Sequence, residues 1–84
     1  MADQLQLEIA TPEREVANVA ADFVTIPGKD GYMGILPGHA ALLSELGDGE
    51  LSYVSSGNTA QFTISGGYVE VRDNHVRVLA DRVA

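Results

Sequence analysis

Cysteine and tryptophan are missing from the 84 residues, lysine occurs once and proline three times. Without thiols there are no disulfide staples and no Cys-based metal sites, which fits a reducing compartment. Basic side chains number 5 against 12 acidic ones, for a net charge of −7. Affinity for a phosphate backbone comes from clustered Lys and Arg. Here Lys29 stands alone, and Arg14, Arg72, Arg77 and Arg82 are spread out, with only the last three near one another. Nucleic-acid binding is not expected. No run of 18 apolar residues exists, and the start, Met1-Ala2-Asp3-Gln4-Leu5, has no positive region leading into an apolar stretch. The expectation is a chain that neither spans a membrane nor carries a secretory signal.

What the sequence does hold is 45% hydrophobic residues in a length suited to one small domain, residues 1–84, with no linker or composition shift. A chain of this size buries only about two thirds of its unfolded surface. That excludes most enzymes needing two lobes and a deep cleft, and it leaves room for a partner to supply part of the stability.

Apolar Leu5, Leu7 and Ile9 alternate with Gln4, Gln6 and Glu8, the period of a strand with one buried face. A break follows at Thr11-Pro12-Glu13. Further strands are predicted at residues 15–17, 23–26 and 32–36, the last two joined as a hairpin by Pro27-Gly28-Lys29-Asp30-Gly31. In residues 37–47 the apolar spacing becomes three and four, which predicts at most a short helical turn around residues 39–46, stopped by Gly47-Asp48-Gly49. Strand spacing resumes at residues 50–54, turns at Ser55-Ser56-Gly57-Asn58, continues through Phe62 and Ile64 and breaks at Gly66-Gly67. It runs on through Val69 and Val71, turns at Asp73-Asn74 as a two-residue hairpin, and ends with Val76, Val78 and Ala80 alternating with Arg77, Leu79 and Asp81. The fold class is all-β: seven or eight short strands in an antiparallel β-sandwich or flattened barrel.

Raw material for catalysis is thin. His39 and His75 are the two imidazoles, and neither has a ligand-type residue at i+3 or i+4 to begin a metal site. Asp73 reads as a turn former, and Ser55 and Ser56 likewise. The carboxylate pairs Glu13/Glu15 and Asp48/Glu50 read as solvated surface rather than acid/base partners. Gly66-Gly67 lacks the Gly-Lys-Ser/Thr ending and following helix of a phosphate loop, and reads as a bulge or close strand crossing. Lys29 at a hairpin tip admits a second reading, an acidic β-sandwich carrier domain with a cofactor on that lysine. Its Gly28-Lys29-Asp30 surroundings differ from the flanks of such lysines. No cofactor and no metal is assigned.

The most distinctive stretch is Gly31-Tyr32-Met33-Gly34-Ile35-Leu36-Pro37-Gly38-His39-Ala40-Ala41-Leu42-Leu43. Periodicity places Leu42 and Leu43 in the core, while the concentration of apolar residues in a loop equally suits a partner surface. This stretch resembles the Gly-x-x-Gly-Ile-x-Pro-Gly-His-Ala-x-Leu-Leu signature of the epsilon subunit of rotary F-type ATP synthases. The opening Leu5-Gln6-Leu7-Glu8-Ile9-Ala10-Thr11-Pro12-Glu13, the stretch Ser65-Gly66-Gly67-Tyr68-Val69-Glu70-Val71 and the closing Asn74-His75-Val76-Arg77-Val78-Leu79-Ala80-Asp81 are similar to that family in the same order.

The resemblance implies a sandwich of about ten strands and a non-catalytic rotor part of the central stalk, which links the gamma subunit to the c-ring and helps couple proton flow to ATP synthesis. It implies a peripheral membrane complex on the cytoplasmic face of a bacterial inner membrane. Carried over by position, Lys29, Asp30, Gly31 and Tyr32 would face the c-ring, and His39, Leu42, Leu43 and Ser44 would face gamma, as two opposed surfaces. Tyr32 departs from members that carry a carboxylate there, which favours an aromatic anchor over a charged contact. Most bacterial members continue into C-terminal helices that bind ATP or inhibit hydrolysis. If these 84 residues are the whole subunit, those properties are expected to be missing while coupling and assembly remain.

Overall fold

A computed structural model describes residues 3–84; Met1 and Ala2, part of the start read above for a targeting signal, lie outside the described residues. Eight strands run in chain order: β1 (Leu5–Ala10), β2 (Glu15–Ala21), β3 (Phe23–Gly28), β4 (Gly31–Ile35), β5 (Leu42–Glu45), β6 (Gly49–Ser55), β7 (Asn58–Arg72) and β8 (His75–Val83). They hydrogen-bond in the order β2-β1-β8-β7-β6-β3-β4, with β5 also paired to β7.

The long strand β7 explains how one sheet becomes a sandwich. Its first half pairs with β6 from Asn58 to Ile64, and its second half pairs with β5 from Tyr68 to Val71. Between them Gly66 and Gly67 take φ of 65° and 111°, values that side chains resist. A Cβ on Gly67 would lie 2.0 Å from Leu79 O, so the backbones of β7 and β8 approach where only glycine fits. The register across this point is unbroken, from Ser65↔Arg82 to Gly67↔Ala80. Gly66-Gly67 is therefore the close strand approach expected of it, without a bulge.

One layer comprises β2, β1, β8, the second half of β7 and β5; the other comprises the first half of β7 with β6, β3 and β4. Both contribute to one core: Leu5, Leu7 and Ile9 from β1, Val24 and Ile26 from β3, Leu51 from β6, Ile64, Val69 and Val71 from β7, and Val76 and Val78 from β8, none more than 1% exposed. Each such side chain contributes about 1.5–3 kcal/mol by leaving water. Alternation places them: in β8 His75, Arg77 and Leu79 are exposed and Val76, Val78 and Ala80 are buried.

The turns read from sequence are present. Asp73 and Asn74 have φ of 50° and 62°, the double positive φ of a two-residue type I′ hairpin. Ser56 and Gly57, at 51° and 81°, do the same between β6 and β7. Three expectations need correction. The helical turn around residues 39–46 is replaced by strand β5, because residues 42, 44 and 46 all face inward with the period of two. A spacing of four satisfies both periods, so Leu42 and Leu46 could not tell them apart. Second, β1 and β8 pair in parallel, Leu7 opposite Val76 and Ile9 opposite Val78, while the other pairings are antiparallel. The two strands come from opposite ends of the chain, so the remaining strands form the long crossover that parallel pairing requires. Third, the strands among the described residues number eight, within the seven or eight read from periodicity and short of the ten implied by the resemblance.

Candidate functional site: a rim from the hairpin tip to the apolar loop

The β3–β4 hairpin projects Lys29 and Asp30 into solvent. Its tip is held at the base. Lys29 N–H donates to Glu45 O at 3.1 Å, Gly47 N–H donates to Pro27 O at 2.8 Å, and Gly28 bridges Leu46. The Lys29 ammonium lies 3.2 Å from a Glu45 carboxylate oxygen, with both side chains largely exposed. An exposed pair of this kind is worth about 0–1 kcal/mol, so the backbone bonds rather than the charges fix the tip. Gly31, at φ 132°, allows the return into β4.

Tyr32 is 62% exposed, yet it is anchored at its polar end. Its hydroxyl accepts a hydrogen bond from Glu50 N–H at 3.2 Å. A Cβ at Gly49 would come within 2.5 Å of the same hydroxyl, so the phenol crosses Gly49 at the start of β6 and leaves the ring face to solvent.

The apolar loop leads from Leu36 to β5. His39 N–H donates to Leu36 O at 3.1 Å, closing a turn over Pro37 and Gly38, and His39 Nδ1 sits 2.7 Å from Ala40 O. Asn74 in the β7–β8 turn accepts from Gly38 N–H through its side-chain oxygen at 2.7 Å. The loop is thus fastened to one end of the sandwich, and β5 runs from there to the hairpin tip.

β5 separates the adjacent leucines. Leu42 is half-buried and packs against the core, whereas Leu43 is 73% exposed. Of the two sequence readings of this pair, core packing describes Leu42 and fails for Leu43, whose side chain is left in solvent. Ser44 faces inward, with its hydroxyl donating to Glu45 O at 3.3 Å. The two predicted contact sets, Lys29 to Tyr32 and His39 to Ser44, come near each other where Lys29 touches Glu45, beside Ser44. They form one rim, with Leu36 and Leu43 as its exposed aliphatic side chains.

Sequence reasoning missed the outer face next to this rim. Tyr68 on β7 and Leu79 on β8 are paired, each about half exposed, and with Ala10, Thr11 and Pro12 they line a shallow concavity of about 330 Å³. Further along, Glu8 accepts from Arg77 Nε at 3.2 Å and lies 3.3 Å from His75 Nε2. Alternation in β7 and β8 would have put these residues on one face, but the parallel approach of β1, which brings Glu8, has no local signal. Glu13, Glu15, Asp48 and Glu50 are all exposed, as read from the sequence. No group of three or more His, Cys, Asp or Glu side chains suited to a metal ion occurs among the described residues.

A family model for the β-sandwich domain of the ATP synthase delta/epsilon chain matches residues 4–84. The chain belongs to that family. The ATP synthase epsilon chain of Solibacter usitatus is 51% identical over 81 residues, which are 96% of this chain and 60% of that protein. The epsilon chain of Carboxydothermus hydrogenoformans gives the same figures. The chain therefore spans about three fifths of the length of these relatives. Among solved structures, a chain of the Euglena gracilis mitochondrial ATP synthase, described as OSCP/F1/c-ring in rotational state 1, superposes with a TM-score of 0.90 at 26% identity, covering 96% of this chain and 52% of that one. A chain of the Tetrahymena thermophila mitochondrial ATP synthase central stalk and c-ring shares the fold, with a TM-score of 0.80 at 21% identity over 99% of this chain and 67% of that one.

Proposed function

We propose that this chain is a non-catalytic central-stalk component of a rotary ATP synthase, working as one folded unit that links a gamma subunit to a c-ring and so helps couple proton flow to ATP synthesis. The family match over nearly the whole chain carries this reading. Its geometry suits the task. A part that transmits torque needs stiff strands and a contact rim that does not slide, and here the rim is fixed by backbone hydrogen bonds at the hairpin tip and by Asn74 at the loop. Lys29, Asp30, Gly31 and Tyr32 are assigned to the c-ring side, and His39, Leu42, Leu43 and Ser44 to gamma, Leu42 acting from beneath through its packing. The chain then belongs to a membrane-associated complex through its partners; among the described residues no helix is long and apolar enough to cross a membrane. The carrier reading of Lys29 has no comparable support: its Gly28-Lys29-Asp30 surroundings differ from the flanks of such lysines.

Leu43→Glu tests the assignment without disturbing the core. The variant should keep the melting temperature of the parent within a few degrees and lose about tenfold or more in affinity for purified gamma, as removing an exposed apolar contact at an interface centre does. Unchanged affinity removes Leu43 from the interface. Failure of the parent chain to bind gamma and to co-purify with the gamma and c subunits from native membranes overturns the function itself.

A further inference from the structure

β5 has one edge in the ladder with β7 and one facing away. Leu46 N–H donates to Gly67 O at 2.9 Å, in the same register as the pairs Leu42↔Val71 and Ser44↔Val69. Antiparallel bonding alternates, so even-numbered residues of this segment direct their backbone polar groups to β7 and odd-numbered ones direct them outward. Two outward positions are occupied: Glu45 O accepts from Lys29 N–H, and Gly47 N–H donates to Pro27 O. The hairpin tip there serves as a short antiparallel neighbour. At Asp30 the chain turns back into β4, and beside Leu43, the next outward residue, no strand lies among the described residues. Its N–H and C=O face an open edge in line with β3. Opposite Leu43 on β7 stands Glu70, exposed and in no ion pair among the described residues.

An edge with free backbone groups is a template for an added strand. We infer that the gamma-side partner binds by strand addition, laying an extended segment along β5 in line with β3, bonding its backbone to Leu43, placing an apolar side chain against Leu43 and a Lys or Arg toward Glu70. This inference rests on the reading of residues 39–44 as a partner contact. A basic flank complements a chain of net charge −7. A second copy of this chain fits poorly, because two such charges repel. In a twofold pairing about Leu43, moreover, the hairpin tip of one copy would occupy the line into which residues 39–41 of the other run.

Amide hydrogen exchange of the chain, with and without purified gamma, tests the mode of binding apart from the binding itself. The Leu43 amide should slow by about tenfold or more in the complex, while the Ser44 amide, already in the ladder with β7, changes little. Leu43→Pro removes only an outward N–H from an edge strand, so the fold should survive, and its affinity should fall about tenfold below that of Leu43→Ala. If gamma binds and the Leu43 amide exchanges as in the free chain, or the proline variant binds like the alanine one, strand addition is wrong and the contact assignment stands. If the proline variant unfolds, the exchange of the parent chain decides alone. Protection of Leu43 that grows with chain concentration in the absence of gamma overturns the inference in favour of self-pairing. No binding of the parent chain removes both the functional reading and this inference.

Discussion

The β7–β8 hairpin and the stretch from Leu36 to Leu46 lie side by side and obey different rules. In the hairpin the buried residues alternate near the turn, Val69 and Val71 facing Val78 and Val76, the turn is a two-residue type I′, and the register holds from Ile64↔Val83 to Arg72↔His75. Local chemistry suffices there. The neighbouring stretch has four strand residues, a turn over Pro37-Gly38 and no partner of its own nearby in sequence; it is ordered by what it touches, namely Asn74 at one end, Gly67 and the hairpin tip at the other, and β7 between. A segment that takes its order from tertiary contacts can leave an edge and a leucine exposed, and those are the features a partner can use.

The comparison breaks most severely at Gly67, which both regions share. Gly67→Ala should destabilise the chain by more than about 3 kcal/mol, because the new Cβ would meet Leu79 O at 2.0 Å in a backbone of φ 111°. Chemical denaturation measures it; a loss below about 1 kcal/mol would show that β7 and β8 can move apart. Next in size is the contrast between the paired leucines. Leu42→Ala should cost about 1–2 kcal/mol and Leu43→Ala less than about 0.5 kcal/mol, since only Leu42 leaves a void against the core. Equal losses in the same denaturation experiment would mean that β5 does not hold its alternation. Smallest is Asn74→Gly, which keeps the positive φ of the turn and removes the acceptor for Gly38 N–H. At most about 1 kcal/mol should be lost, with faster exchange at Gly38 and none at Val76. Exchange that rises equally in both regions would show that the loop and the hairpin open together.

Much of the fold was legible because alternation is local. Leu5, Leu7 and Ile9, then Val76, Val78 and Ala80, announce their buried faces without reference to the rest of the chain. Asp73-Asn74 and Ser56-Gly57 announce their turns through residue types that tolerate positive φ. Residues 39–46 were ambiguous for a physical reason: inward positions four apart fit a helix as well as a strand, and the hydrogen bonds that decide between them come from β7. For the candidate site the sequence offers a list of residues and not a shape. No local signal places Lys29 against Glu45 or separates Leu42 from Leu43.

The sequence by itself determined the all-β class, the positions of most strands and turns, and the family, because side-chain period, turn chemistry and ordered motifs are written residue by residue. Tertiary structure alone decided the parallel seam between β1 and β8, the conversion of a helical spacing into β5, and the joining of two predicted contact sets into one rim. Each of these depends on backbone groups satisfied by residues distant in the chain, and the identity of a side chain does not specify which distant backbone will lie beside it.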